Sequence, residues 1–102
     1  MAIEVSTFLS AGPTVLVAAT TVSASVTIPF GIAANAVSVR VYNDGPNLAF
    51  INLGKGATTA SITSIPLPIG AVEMLGKVAN DTFAVVTLSG TANVYFTPGH
   101  GN

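Results

Sequence analysis

The chain has no cysteine and no tryptophan, one histidine and only seven charged residues. Each shortage excludes something. Without cysteine there is no disulfide framework and no thiolate metal site. The cations Arg40, Lys55 and Lys77 are scattered, so they form no basic patch to displace counterions from nucleic acid or to hold an anionic membrane surface. Neither nucleic acid nor a membrane is therefore expected as a partner. The apolar stretch TVLVAATTVSASV is interrupted by Thr and Ser, whereas a spanning helix needs about 20 mostly apolar residues. Glu4 stands where a secretory leader carries Lys or Arg, so synthesis in the cytoplasm is expected.

Enzyme chemistry needs titratable groups that converge, and few exist here. His100 lies between glycines in PGHGN, and Glu4, Asp44, Glu73 and Asp81 are far apart in sequence. No nucleophile, base and orienting group can be assembled, so no enzyme activity, catalytic residue, metal or cofactor is expected. The segment GKGATT over 54–59 brings a phosphate loop to mind. However, residue 49 is Ala rather than Gly, and Gly56 follows Lys55 where that pattern needs Ser or Thr.

Half of the residues are hydrophobic, and they alternate with polar ones. Val22, Ala24, Val26 and Ile28 share one face, as do Val37, Val39 and Val41. Period-two alternation rich in Val, Ile and Thr marks half-buried strands. Gly and Pro punctuate the chain at short intervals. The pattern predicts strands over about 3–9, 14–19, 22–28, 36–43, 48–53, 71–75, 82–88 and 92–97. Residues 57–65 are left open. The fold class is all-β: a single small β-sandwich or jelly-roll-like domain of seven to eight antiparallel strands spanning 1–102. Residues 1–10 read as an extended N-terminal arm and 98–102 as a flexible tail. VYNDGPNLAFINLG reads as a hairpin turning at Asp44, Gly45 and Pro46. The spacing from Gly45 to Gly54 is repeated from Gly90 to Gly99, which reads as two hairpins of similar length.

So little charge leaves a lone monomer poorly solvated, which points to a surface that faces other protein. A homo-oligomer is expected, a trimer first and a dimer second. The candidate contact residues are Ile3, Val5 and Phe8 in the N-terminal segment, Lys55 and Thr58 in the glycine-rich loop, and His100 in the tail. Tyr42 and one of the adjacent Tyr95 and Phe96 must face away from the hydrophobic set of their strands, and they join that group.

VRVYNDGPNLAFINLG, SIPLPIGAVEMLG and TFAVVTLSGTANVYFTPG together resemble a family of short tailed-bacteriophage virion proteins. The shared order is Val39, Val41 and Asn43, a turn at Gly45, the stretch 50–54, the segment 69–73 and the closing 89–99. The likeness covers about 37–99. It implies a capsid decoration or cement protein on the capsid surface of the virion, made in the bacterial host. Its implied partners are the major capsid protein and further copies of itself. A neck, tail or fibre component is the alternative within the particle. A carbohydrate-binding or adhesive β-sandwich module is the alternative outside it, and that reading needs exposed aromatics beside polar groups in a groove.

Overall fold

The computed structural model describes residues 9–10, 13–27, 38–76 and 82–100. These form nine strands: β1 (Leu9–Ser10), β2 (Val15–Ala19), β3 (Ala24–Thr27), β4 (Ser38–Pro46), β5 (Ala49–Gly54), β6 (Ile65–Leu67), β7 (Val72–Gly76), β8 (Thr82–Thr87) and β9 (Ala92–His100). No helix among the described residues is long and apolar enough to cross a membrane.

The strands lie in two antiparallel sheets. The first runs β1/β2, β9, β4, β7, with β1 and β2 both on the same strand β9. The second runs β3, β8, β5, β6. If β1 and β2 are counted as one interrupted edge, eight strand positions remain. Their pairing is nested: β2 with β9, β3 with β8, β4 with β7, and β5 with β6. This is one long hairpin. It is rolled so that β4 also pairs with β9 and β5 with β8, which makes the sandwich a jelly roll.

Alternation explains which side chains meet between the sheets. Val17, Val39, Val41, Val94 and Phe96 point inward from the first sheet, and Ile51, Leu67, Phe83 and Val85 from the second. Phe83 and Phe96 stack across the gap. Each such burial contributes roughly 1.5–3 kcal/mol relative to exposure.

The registers bring four connections to one end of the sandwich: 20–23, 47–48, 68–71 and 88–91. Hydrogen bonds join them side by side. The Thr87 amide donates to the Thr20 carbonyl at 2.8 Å, and the Asn47 side chain donates to the Thr91 carbonyl at 2.9 Å. Asn43 links the next pair. Its buried Nδ2 donates to the Leu67 carbonyl at 2.8 Å and the Asn47 carbonyl at 2.9 Å, while its Oδ1 accepts from the Gly45 amide at 2.7 Å. Its backbone bonds Ala71 and Gly70 as well.

Four expectations change. The stretch VYNDGPNLAFINLG is not a hairpin, because β4 and β5 lie in different sheets, as do β8 and β9. Asp44 to Asn47 carry the chain across the sandwich, and the turn chemistry is the same for a crossing as for a hairpin. The repeated glycine spacing has a structural counterpart. The two crossing units pair strand for strand, and Gly45 and Gly90 take φ of 86° and 71°. Residues 98–100 are not a free tail but the end of β9, held between β1 and β4. Finally, Ile65–Leu67 is a strand despite Pro66. It is an edge strand, where a missing N–H leaves no ladder bond unmade. Most of the expected strand over 3–9 lies outside the described residues.

Replacing Asn43 with Ala would strip partners from a buried amide and two carbonyls. Asn43→Ala is expected to lower unfolding free energy by about 3 kcal/mol in denaturant titration. A loss below about 0.5 kcal/mol would mean that the corners hold without it.

Candidate functional site

The two outer faces of the sandwich differ. On the second sheet the chain covers itself. Ala60, from the β5–β6 connection, packs on Phe50, Ala84 and Val86, and every residue of β8 is buried. The Ala60 amide donates to Ser23 Oγ at 2.9 Å, and Asn52 Nδ2 donates to the Thr59 carbonyl at 3.0 Å. Thr58 was expected as a contact residue, but it is buried with its hydroxyl 2.6 Å from that of Thr82. Thr82 in turn reaches the Gly56 and Gly54 carbonyls at 2.7 and 3.0 Å. Two threonines thus hold the base of the glycine-rich loop, and Lys55, its neighbours 56–57 and Thr59 are exposed there.

No connection among the described residues packs over the outer face of the first sheet in this way. Register aligns Leu16, Tyr95, Tyr42 and Val72 in one row across four strands. The next row is Thr97, Arg40 and Met74, with Thr14 hydrogen-bonded to Thr97 at 2.8 Å. Thr14, Arg40, Tyr42, Asp44, Tyr95 and Thr97 line a groove of about 300 Å³. The Tyr42 and Tyr95 rings stack with centroids 6.1 Å apart and planes 27° from parallel.

The polar groups around the rings are arranged unequally. The Tyr42 hydroxyl donates to Asp44 Oδ1 at 3.0 Å. That bond, together with the carboxylate charge, raises the Tyr42 pKa, and nearby Arg40 opposes the shift. Among the described residues the half-buried Arg40 side chain has no hydrogen-bond or ion-pair partner. Below the groove Thr97 is buried, its hydroxyl matched by that of Thr14.

The expected contact residues therefore divide. Tyr42 and Tyr95 come together on the open face, and Lys55 lies on a loop elsewhere. Phe96 is corrected to the core: inward alternation through Ala92 and Val94 assigns it there and turns Tyr95 out. His100 belongs to β9 rather than to a tail, with its backbone opposite Leu9. Ile3, Val5 and Phe8 lie outside the described residues. Arg40 and Asp44 were missed, although each stands two positions from Tyr42 and so shares its face. Thr14 and Thr97 could not be joined to them without strand order. Among the described residues no group of three or more His, Cys, Asp or Glu gathers.

A second surface lies at the end where the four connections meet. Each presents one large exposed aliphatic: Val22 at 73%, Leu48 at 37%, Ile69 at 57% and Leu88 at 65%. None of the connections contains a charged residue.

The hydrogen bond to Asp44 fixes a sign. Tyr42 should ionise above the ordinary tyrosine value of 10.0, so its contribution to stability is present below that pH and lost as pH rises through the raised value. Alkaline spectrophotometric titration checks this, and Asp44→Asn should bring the raised Tyr42 midpoint down. An unmoved midpoint would contradict the assignment.

Compared with protein-family models, with curated proteins and with solved structures, the chain has no match.

Proposed function

We propose that the chain is a non-enzymatic structural protein of a tailed-bacteriophage head. It acts as a decoration or cement protein that binds the outer surface of the major capsid lattice as a symmetric oligomer. The observation that carries this reading is one end of the jelly roll, where Val22, Leu48, Ile69 and Leu88 stand exposed on four cross-bonded connections that contain no charged residue. Aliphatic side chains placed by rigid corners suit a repeated protein surface and suit neither nucleic acid nor a charged membrane.

The resemblance of 37–99 to short phage virion proteins supports the major capsid protein as the partner. A protein that binds only the assembled shell stabilises it by mass action. Weak contacts repeated by an oligomer add as avidity, so each copy needs only a modest apolar patch. The shortage of charge then has a cause, since the surface is meant to lie against other protein. A neck, tail or fibre role would use the same end on a different partner.

The test is co-sedimentation of purified chain with heads that lack it. Wild type should pellet with the heads and saturate. Val22→Asp and Leu88→Asp should each weaken binding by about tenfold or more while keeping the β-type circular dichroism spectrum. Lys55→Ala, away from that end, should bind as wild type. Failure of the wild-type chain to bind heads would overturn the reading.

A further inference from the structure

We propose that the groove on the open sheet face is a saccharide site, in which Tyr42 and Tyr95 carry a sugar ring and Arg40 and Asp44 engage its hydroxyl groups. The inference does not depend on the capsid reading.

A pyranose ring has an apolar face of C–H bonds and a rim of hydroxyls close to the ring plane. A site for it needs a rigid aromatic surface with donors and acceptors at its margin. Two paired tyrosines supply the surface, and their short side chains lose little entropy on binding. Arg40 supplies donors. Its guanidinium is a planar fork suited to two neighbouring oxygens, and it is half-buried with no acceptor of its own among the described residues. Asp44 supplies acceptors. One oxygen takes the Tyr42 proton, leaving further lone pairs for a ligand hydroxyl. That same bond fixes the Tyr42 ring. At the floor Thr14 and Thr97 bond each other, which uses one of the two hydroxyl protons and leaves the other free for a ligand.

The volume, about 300 Å³, is at the small end of ligand sites and suits roughly one or two sugar rings. The Arg40 and Asp44 charges oppose one another, which favours a neutral sugar over an acidic one. A second copy of the chain fits less well. An isologous contact needs a self-complementary surface, and two grooves placed face to face leave a void between them.

The chain contains two tyrosines and no tryptophan, and both tyrosines are in the groove, so its intrinsic emission reports this site alone. The experiment titrates the full chain with short oligosaccharides of glucose, galactose, mannose and N-acetylglucosamine, and with oligogalacturonate as the acidic probe. At least one neutral probe should give a saturable change in emission, with a Kd of about 0.1–10 mM. Arg40→Ala keeps both rings and should weaken that binding about tenfold or more. Should Arg40→Ala fail to fold, Asp44→Asn carries the same comparison. The proposal is overturned if no neutral probe gives saturation, if only the acidic probe does, or if folded variants bind as wild type. It is also overturned if emission follows protein concentration alone, in step with sedimentation, because the groove would then be a contact between copies.

Discussion

The buried side chain of Asn43 is the interaction on which this architecture turns. A rolled hairpin must send the chain from one sheet to the other repeatedly, and each crossing leaves backbone groups that no ladder satisfies. Asn43 sits at the β4–β5 crossing, fully buried, and answers groups from that crossing and from the end of β6. An apolar side chain of the same size would fill the space and leave those groups unmatched. With the corners joined, the aliphatic residues on them stand in fixed positions, and the inward rows of both sheets meet in one core.

The asymmetry between the outer faces follows from where the long connection goes. The β5–β6 connection is drawn onto the second sheet by Ala60 and held by Thr58 and Thr82, so that face is spent on stability. The first sheet keeps its outer row of Leu16, Tyr95, Tyr42 and Val72, and Arg40 beside that row has no ion-pair partner among the described residues. A protein with so few charges has placed Arg40 and Asp44 beside its only tyrosines. The apolar end and the open face are separate surfaces with different chemistry. One suits a broad protein partner, the other a small polar ligand.

The strands were legible because alternation is a local signal. Val39 and Val41 announce the inner face of β4, and the rhythm Ala92, Val94, Phe96 sorts Tyr95 from Phe96. Sheet membership was not legible. Asp44, Gly45 and Pro46 turn a chain whether it returns beside itself or crosses a sandwich, and only pairing decides. Pro66 hid a strand, since proline argues against a central strand but is tolerated at an edge. Thr58 looked like a wet loop residue because its partner, Thr82, is distant in sequence. Half of the groove was readable, as Arg40, Tyr42 and Asp44 alternate along one strand. The other half arrives on β9 and from Thr14, across contacts that no local pattern encodes.

The proposed role as a coat on a phage head is tested by the stoichiometry of purified particles. Quantitative mass spectrometry would give copies of this chain relative to the major capsid protein. A decoration protein should give a ratio near one, or a simple fraction of it set by the symmetry axis occupied. A few copies per particle would move the protein to the neck, tail or a fibre, and its complete absence would contradict a virion role.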